Sequence, residues 1–332
     1  MTSIDRLRLM TKVARMYHEH GIRQSVIATR LSMSQAMVSR LLAAAEKEGI
    51  VRTTVMTPLG VYPDLEEQLE RRFNLANAVV ADCSSDADDA VLRDIGSAAA
   101  TYLETTLGGD EVVGISSWSE TLLRTVSSMQ PLRRRPGSHV VQILGGIGNP
   151  TAEAHAVRLT EQLAALLSAE PHFLQAPGVT GSAAATAAYL ADPQLRHTTE
   201  YFDKLTVALV GIGALHPSRL LGQSGNVFSD TEQRELETLG AVGDICLRFF
   251  DTTGVPVASP FNERVIGMSL DQIRTVPRSV GVAGGASKLE AIRAALVGGL
   301  INVLITDRFT AERLIAGALA DPADDSTWEL SR

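Results

Sequence analysis

The stretch that decides the fold of the N-terminal segment runs from Gln24 to Val51 and reads QSVIATRLSMSQAMVSRLLAAAEKEGIV. Its apolar residues recur every three or four positions in two blocks, which is the spacing of amphipathic helices. Ser34 stands before the second block, where its hydroxyl can accept a backbone N–H and cap the helix, and Gly49 ends that helix. A further amphipathic helix over residues 8–20, ended by Gly21, precedes both. The pattern predicts helix, short helix, three-residue turn and helix.

The helix that follows Ser34 has two unlike faces when its residues are placed about 100° apart around the axis. One face is apolar and is expected in the core; its residues are Val38, Leu41, Leu42 and Ala45. The opposite face carries short polar and cationic residues, namely Gln35, Ala36, Ser39, Arg40, Ala43 and Lys47. A helix of this kind fits the major groove of DNA, where amide and guanidinium groups near its N-terminus can pair with base edges.

The residues of this segment take different expected roles on double-stranded DNA. Gln35 and Ser39 would read bases, while Arg40 could read a base or hold a phosphate. The other cations would contact the phosphate backbone and add affinity without sequence choice. The predicted DNA-contacting residues are Arg23, Gln24, Arg30, Ser34, Gln35, Ala36, Ser39, Arg40 and Lys47. The alternative is a three-helix interaction module whose basic residues only face solvent.

The charge of the chain is divided unevenly along its length. The 332 residues have a formal net charge of −8. Residues 1–57 nevertheless hold nine Lys or Arg against four Asp or Glu, a balance of +5, and the remaining 21 basic and 34 acidic residues leave −13. This asymmetry is expected when one domain faces the phosphates of a nucleic acid and the other repels them. At about 150 residues per domain, the length indicates two domains.

Several classes of protein are excluded by patterns that the sequence lacks. It has no run of about 18 apolar residues and no leader-like N-terminus, so we expect a cytoplasmic protein without membrane contact. Cys83 and Cys246 are too few for a disulfide framework, and we expect both to be reduced and buried. The seven histidines show no ligand-like repeat, and neither a dinucleotide fingerprint nor a Walker motif is present. The sequence therefore predicts no metal and no cofactor.

Beyond residue 57 the sequence changes to alternating strands and helices. Residues 58–75 form a predicted linker with a charged helix from Pro63 to Phe73, which could pack on the large domain or on a second subunit. The apolar runs expected to form strands are 78–81, 112–115, 140–144, 206–211, 245–250, 279–283 and 302–306. The helices expected between them are 90–107, 121–129, 154–167, 231–239, 288–297 and 310–319.

This alternation decides the predicted fold class, which is α/β. An all-α helix-turn-helix domain over residues 1–57, with a small strand predicted at residues 50–55, precedes the linker. Residues 76–322 are expected to form a Rossmann-like doubly wound effector domain with a mostly parallel sheet covered on both faces. Residues 323–332 form a predicted tail.

Glycines and polar residues follow several predicted strands, where a parallel sheet binds its ligands. The candidate effector-binding residues at these exits are Gly114, Ser116, Ser117, Ser119, Thr121, Gly145, Gly146, Asp244, Gly285 and Lys288. Hydroxyls and free N–H groups could surround a phosphate, Asp244 could accept hydrogen bonds from sugar hydroxyls, and Lys288 could neutralise an anion. Each feature taken alone is also typical of a tight turn or a helix cap.

The residues themselves resemble a known family. Gln24–Ala28, Leu31–Ser34, Val38–Leu42 and Ala45–Val51 look like the helix-turn-helix of the SorC family of sugar-responsive transcriptional regulators. The segments that resemble the effector domain of that family are Val140–Gly148, Leu209–Ala214, Gly240–Ile245, Arg264–Met268, Gly281–Gly285 with Lys288, and Ile301–Asp307.

The resemblance implies a sugar-binding domain similar to the phosphosugar isomerases. It also implies that the first strand-to-helix loop, Asp244 and Lys288 contact the effector, and that members assemble as homotetramers, through dimers, on paired operator half-sites. The first loop departs from the family pattern because Ser117 and Ser119 flank Trp118, where members often have glycine, although Thr121 is kept. Either these hydroxyls hold the ligand, or the effector differs from a simple sugar phosphate and is an unphosphorylated sugar or polyol.

Two functions of different classes remain compatible with the sequence. The first is a transcriptional regulator of carbohydrate metabolism whose operator affinity changes when a sugar, polyol or sugar phosphate occupies the large domain. The second is a sugar-phosphate isomerase or deaminase with an added nucleic-acid-binding arm. Isomerisation needs a general base and a second group that moves the hydroxyl proton, and Gly240–Ile245 supplies Asp244 alone. The sequence therefore predicts binding without turnover and no catalytic residue.

Overall fold

The computed structural model describes residues 3–52, 56–132, 137–147, 150–216, 222 and 229–318. The chain divides into two units, Met1–Pro58 and Leu59–Arg332, and each is described by itself. The tail predicted at residues 323–332 and the end of the strand predicted at residues 50–55 lie outside the described residues.

The described part of the N-terminal unit contains three helices and one π-helical turn. Their bounds are α1 Ser3–Ala14, the π turn Arg15–Glu19, α2 Gln24–Arg30 and α3 Gln35–Lys47. The Ser34 Oγ accepts the backbone N–H of Met37 at 3.2 Å and caps α3 as expected. The predicted apolar face of α3 is buried, from Val38 to Ala45, and packs against Val13 and Ile27.

Backbone conformation explains how the helices of this unit end. Gly21 and Gly49 have φ values of +63° and +71°, in the left-handed region that glycine adopts at low cost. The N–H groups of Ile50 and Val51 both donate to the Ala45 carbonyl, at 2.9 and 3.1 Å. The strand predicted at residues 50–55 is therefore wrong for the residues that the structure describes. The N–H groups of Ile50 and Val51 close the end of α3 and pair with no neighbouring strand.

Ten strands of the large unit are described. In chain order they are β1 Asn77–Ala81, β2 Val112–Ile115, β3 His139–Gln142, β4 Glu170–His172, β5 Val207–Gly211, β6 Gly213–Ala214, β7 Gly243–Ile245, β8 Arg248–Phe250, β9 Arg278–Val282 and β10 Val303–Asp307. Seven of them form one parallel sheet with the order β1-β10-β9-β5-β2-β3-β4. The other three, β6, β7 and β8, form a separate antiparallel sheet.

Two features of these sheets differ from the sequence prediction. The run 245–250 is not one strand of the parallel sheet, because Cys246 and Leu247 have positive φ values and fold it into the β7–β8 hairpin. The seventh parallel strand is instead β4, whose residues Glu170, Pro171 and His172 show no apolar run. Such a sequence is tolerated at β4 because it lies at the edge of the sheet.

Helices cover both faces of the parallel sheet. Their bounds are α4 Pro63–Phe73, α5 Asp88–Thr106, α6 Glu120–Ser128, α7 Pro150–Leu167, α8 Ala183–Ala191, α9 Pro193–Thr199, α10 Asp230–Thr238, α11 Leu270–Thr275, α12 Leu289–Val297 and α13 Arg308–Ala318. Alternate residues of one strand enter different cores, so that Ala208 and Val210 of β5 join one cluster while Val207 and Leu209 join the other. The doubly wound α/β prediction is confirmed.

The helix of the predicted linker, α4, belongs to the large unit and packs against β1. Leu69 is fully buried in the larger core cluster. The carboxylates of Glu66 and Glu70 accept the backbone N–H groups of Val80 and Ala78, each at 2.9 Å. These N–H groups belong to β1, which among the described strands pairs with β10 alone and so lies at an edge of the sheet. The helix thus satisfies backbone donors that an open sheet edge would leave exposed.

The strand order places a crevice at the centre of the sheet. From β2 the chain proceeds to β3 and β4 on one side, whereas from β5 it proceeds to β9 and β10 on the other. The loops that leave the carboxyl ends of the adjacent strands β2 and β5 therefore diverge. In open α/β sheets such a switch point is where ligands bind.

Candidate functional site

A cleft of about 560 Å³ opens at this switch point. Its walls come from the loops after β2, β5 and β9, from the start of α5 and from the β7–β8 hairpin. This volume is within the usual range for a small-molecule site. The cleft therefore has the position and size of a site for a compact metabolite.

Five of the ten candidate effector-binding residues line this cleft. They are Ser116, Ser119, Thr121, Asp244 and Lys288. The first three follow β2, where Ser119 caps α6 by accepting the Leu122 N–H at 3.3 Å. The structure thus brings hydroxyl, carboxylate and ammonium groups from three separate parts of the chain to one cavity.

Two glycines that the sequence interpretation did not select give the loop after β5 its shape. A side chain at Gly211 would place its Cβ 2.5 Å from the Ser119 Oγ, and one at Gly213 would place its Cβ 2.1 Å from the Asp244 Oδ1. Both distances are too short for real atoms. The Gly-x-Gly pattern at the end of an apolar strand was the signal that could have identified them, because it indicates a place where other groups approach the backbone closely.

Ser117, another candidate, does not line the cleft. Its hydroxyl donates to the Leu144 carbonyl at 2.7 Å and accepts the Gln142 Nε2–H at 2.8 Å. The neighbouring Trp118 donates its Nε1–H to the Gly145 carbonyl at 2.9 Å. These buried bonds join the loop after β2 to the loop after β3, so Ser117 holds the shape of the loop.

Three of the four glycine candidates stand where the backbone packs tightly. A Cβ at Gly114 would lie 2.7 Å from the side chains of Ile143 and Leu205, and one at Gly145 would lie 2.4 Å from the Pro177 carbonyl. At Gly146 the obstacle is the Gln142 Nε2, at 2.1 Å. None of the three lines the cleft. Glycine is required at these three positions because the packed interior leaves no room for a side chain.

Gly285, the last candidate, supports the turn that carries Lys288. It has a φ of +93°, and its N–H donates to the Asp307 Oδ2 and the Thr310 Oγ1, both at 2.9 Å. Asp307 is fully buried and also accepts the Thr310 N–H at 2.9 Å. This network fixes the start of the turn between β9 and α12, and with it the position of Lys288 at the cleft.

The two central charged groups of the cleft have shifted pKa values. Burial raises the pKa of the Asp244 carboxyl to about 6, although the Leu247 N–H and the Lys288 ammonium oppose the rise. The Leu247 N–H donates to the Asp244 Oδ2 at 2.9 Å. Burial lowers the pKa of Lys288, while Asp244, Glu120 and Asp88 act in the opposite direction. Both groups have lost water, and ligand hydroxyls can restore the missing hydrogen bonds.

The charge balance of the cleft is acidic. Among the described residues of its lining, the carboxyl groups of Asp88, Asp89, Glu120 and Asp244 stand against the single ammonium of Lys288. Such a lining repels an anion more than it attracts one, whereas carboxylates are good acceptors for the hydroxyl groups of a sugar.

The hairpin turn that lines the cleft has an uncommon backbone. Cys246 and Leu247, which both line the cleft, have φ values of +52° and +59°, in a region that residues with a side chain seldom adopt. Burial raises the pKa of the Cys246 thiol to about 12 and that of Cys83 to about 12 as well. Both cysteines are free and buried, which confirms the expectation of burial and leaves their thiols protonated and unreactive.

The predicted DNA-facing residues lie on the surface of the N-terminal unit. The side chains of Arg23, Arg30, Gln35, Arg40 and Lys47 are exposed, as are Ser34, Ala36 and Ser39, while Gln24 is half-buried. The Arg40 Nε–H points to the Ala36 carbonyl at 3.4 Å, which keeps the guanidinium along the polar face of α3. This face carries polar and cationic side chains from Gln35 at the start of the helix to Lys47 at its end.

Comparisons with known proteins identify the family. The sugar-binding domain family, Sugar-bind, matches residues 60–316. The chain is 32% identical over 311 residues to the deoxyribonucleoside regulator of Bacillus subtilis, covering 94% of this chain and 98% of that protein. The crystal structure of the full-length sorbitol operon regulator SorC from Klebsiella pneumoniae has a TM-score of 0.71 and 29% identity, covering 94% of this chain and 99% of that chain. The chain belongs to the SorC family.

Membership of the SorC family confirms the main interpretation of the sequence. This SorC family member is also 31% identical over 308 residues to the transcriptional regulator LsrR of Escherichia coli K12, covering 92% of this chain and 94% of that protein. These relatives are named as regulators, so the protein is a transcriptional regulator with a sugar-binding domain, and the isomerase alternative gains no support. Within the described part of the chain, no helix is both long enough and apolar enough to cross a membrane.

Proposed function

We propose that this SorC family member binds double-stranded operator DNA with the polar face of α3, and that a carbohydrate in the cleft changes the operator affinity. The observation that carries the proposal is the convergence of Ser116, Ser119, Thr121, Asp244 and Lys288 on one cavity at the switch point of the sheet. The basic N-terminal unit supplies the electrostatic attraction to DNA that the acidic remainder of the chain lacks.

The proposed effector is an uncharged sugar or polyol. The excess of carboxyl groups over Lys288 in the cleft opposes a phosphate, and the three hydroxyl side chains after β2 can exchange hydrogen bonds with a polyhydroxylated ligand. A carboxylate that accepts two hydroxyl groups, as Asp244 can, gives direction and selectivity at once. Discrimination against analogues that lack one hydroxyl follows, because a polar group of the cleft would then remain unpaired.

The proposed cleft binds without turnover. Proton transfer in an aldose–ketose isomerisation needs two positioned groups that change protonation near neutral pH. Asp244 has such a pKa, and burial lowers the pKa of Lys288 beside it, so the proposal of binding without turnover rests on the relatives, which are named as regulators. We expect the purified protein to leave pentose and hexose phosphates unchanged, as followed by nuclear magnetic resonance over several hours.

Effector identity is tested by thermal shift with matched pairs of free and phosphorylated pentoses, hexoses and hexitols. A ligand that binds only the folded protein raises its unfolding temperature. We expect an uncharged member of a pair to stabilise the protein more than its phosphate. Asp244→Asn should strongly reduce this stabilisation, and Lys288→Met should leave most of it intact. A phosphate that stabilises more than its free sugar, and loses the effect in Lys288→Met, would contradict the proposed effector class.

The DNA-binding part of the proposal is tested on duplexes selected by the wild-type protein from a genomic library. We expect Arg40→Ala to weaken binding to selected duplexes about 10-fold to 100-fold and to lower their preference over random DNA, since a base contact is worth about 1–3 kcal/mol. Arg274→Ala, which removes another exposed arginine, from the large unit, is the control and should bind as the wild type does. Equal binding by the Arg40 and Arg274 variants would refute the assignment of α3.

Coupling between the two units is the regulatory part of the proposal. The ligand found by thermal shift should change operator affinity about 5-fold to 150-fold, which corresponds to a coupling free energy of about 1–3 kcal/mol. The same proposal includes assembly as a homotetramer built from dimers. Light scattering with and without ligand measures the molecular mass that tests it. A cytoplasmic location also belongs to it, because operator binding requires the compartment that holds the DNA.

A further inference from the structure

Two histidines that are 33 positions apart in sequence meet at the edge of the parallel sheet. The Nδ1 of His139 lies 3.0 Å from the Nε2 of His172. The carboxylate of Glu170 is close to both, with its Oε2 at 3.8 Å from the His139 Nδ1, and the ligand atoms of all three side chains lie within 4.8 Å of one another. We call His139, Glu170 and His172 the edge cluster. None of the three lines the effector cleft.

Strand register explains why these side chains meet. His139 of β3 pairs with Glu170 of β4, and Glu170 and His172 are two residues apart in the same strand. Residues two apart in a strand point to the same face, and paired residues of neighbouring strands do so as well. All three side chains are therefore directed to one face by the backbone of the sheet.

The surroundings hold the two rings in place. The ring of Tyr201 lies 4.1 Å from that of His172 and 5.3 Å from that of His139, measured between centroids. The Thr198 hydroxyl donates to the Phe173 carbonyl at 2.9 Å and so attaches α9 to the end of β4. His172 is buried and His139 is half-buried, whereas Glu170 is exposed. The cluster thus has a fixed inner pair and an accessible carboxylate.

The contact between the two imidazoles is one that a metal ion can replace. A hydrogen bond between two ring nitrogens needs one donor and one bare acceptor. A divalent cation between them would use the lone pairs of both. In a tetrahedral zinc site with Zn–N bonds of about 2.0 Å, neighbouring ligand atoms are about 3.3 Å apart. The distances from the His139 Nδ1 to the His172 Nε2, 3.0 Å, and to the Glu170 Oε2, 3.8 Å, lie on either side of that separation.

We propose that the edge cluster binds one divalent transition metal ion, and that zinc is the ion it prefers among those available to a cell. Two imidazoles and one carboxylate are borderline ligands of the kind that zinc accepts, while magnesium and calcium require oxygen ligands. Water would complete the coordination on the exposed side. The ion would tie β4, the outermost strand, to β3, and so stabilise the edge of the sheet that lies away from β1.

Ligand spacing along the chain does not reveal this site. Known zinc motifs place two ligands a few residues apart, and only Glu170 and His172 satisfy that condition here. The third ligand is supplied by a neighbouring strand, through a register that the sequence does not state.

The proposal is tested by titrating the tag-free full-length protein, freed of metal by a chelator, with ZnCl2 in a calorimeter at pH 7.5. We expect one zinc ion per chain with a dissociation constant in the micromolar range or lower, and a rise of the unfolding temperature by several degrees on saturation. Co²⁺ used as a second probe should show the intense visible absorption of a four-coordinate site. MgCl2 should produce neither effect.

Three variants distinguish a metal site from a hydrogen-bonded pair. Glu170→Gln and His139→Gln change an exposed and a half-buried side chain, so both should fold, as checked by circular dichroism without metal, and both should bind zinc at least 10-fold more weakly than the wild type. His20→Gln changes an exposed histidine of the N-terminal unit and should bind as the wild type does. Absence of saturable binding by the wild type, or equal affinity in the Glu170 and His139 variants, would overturn the proposal.

Discussion

Replacement of Asp244 by Asn should make the ligand-free protein more stable while it weakens effector binding. Burial raises the pKa of this carboxyl from 3.8 to about 6. The charged form is therefore less favourable in the folded protein than in the unfolded chain, and ionisation of Asp244 opposes folding. The raised pKa fixes how the stability depends on pH. The stability lost through ionisation of Asp244 is lost in full above pH 6 and is regained as the pH falls through 6 towards 3.8. Asn has the shape of the neutral acid, and its Oδ1 can still accept the Leu247 N–H that now reaches the Asp244 Oδ2.

The magnitude follows from the size of the shift. A rise from 3.8 to about 6 corresponds to at most about 3 kcal/mol of lost stability at pH 8 and about 1 kcal/mol at pH 4.5. The attraction to Lys288 is already contained in these values, because it is one of the influences on the pKa. Loss of the charged acceptor should at the same time weaken effector binding by about 10-fold to 100-fold, the usual worth of a hydrogen bond to a charged group.

The assay is urea unfolding of the ligand-free protein between pH 8 and pH 4.5, with the tryptophan fluorescence of the large unit as the signal. Asp244→Asn should exceed the wild type in the free energy of unfolding, most at pH 8 and least at pH 4.5. Asp251→Asn is the control of opposite sign, because hydrogen bonds from Thr253 and Val255 lower the pKa of Asp251. That variant should be less stable than the wild type at every pH from 8 to 4.5, because a lowered carboxyl pKa gives stability that is lost only below about pH 3.8. An Asp244 variant that is less stable at pH 8, or whose advantage does not change with pH, would refute the reasoning.

Three further substitutions test other parts of the structure. Ser34→Ala removes the cap of α3 and should destabilise the N-terminal unit by about 1 kcal/mol, seen as faster amide exchange in α3, while Ser34→Asp should not. Arg30→Ala should lower the slope of log affinity for DNA against log salt by about 1, equally for selected and random duplexes; Arg30→Lys should keep the slope. Gly213→Ala places a Cβ 2.1 Å from the Asp244 Oδ1 and should weaken effector binding at least 10-fold by calorimetry, whereas Gly181→Ala, with open space around it, should not.

The N-terminal unit could be derived almost completely from its sequence. The apolar spacing of Val38, Leu41, Leu42 and Ala45, the cap at Ser34 and the stop at Gly49 are local features, and each appears in the structure where the sequence predicts it. Local features suffice here because three short helices bury one stripe each. The strand expected at residues 50–55 was wrong because of another local feature. The N–H groups of Ile50 and Val51 donate to the Ala45 carbonyl at the end of α3.

Prediction was less complete in the large unit, where the position of a residue after a strand did not reveal what its neighbours would be. Ser116 and Ser117 are adjacent and both hydroxylic, yet one lines the cleft and the other bonds the loop after β3. Gly145 follows β3 and Gly211 ends β5, yet different neighbours exclude a side chain: the Pro177 carbonyl at Gly145 and the Ser119 side chain at Gly211. Such differences depend on which loop crosses the next, and that information is not local.

Periodicity and charge along the chain determined that a basic helical N-terminal unit precedes an acidic α/β unit. Helix spacing, strand runs and charge counts involve only neighbouring residues. Only the tertiary structure decided which residues meet. The β7–β8 hairpin brings Asp244 beside Lys288, and the pairing of β3 with β4 brings His139 beside His172. The physical reason is that strand order and register are set by the burial of whole sheet faces, a free energy summed over residues far apart in sequence.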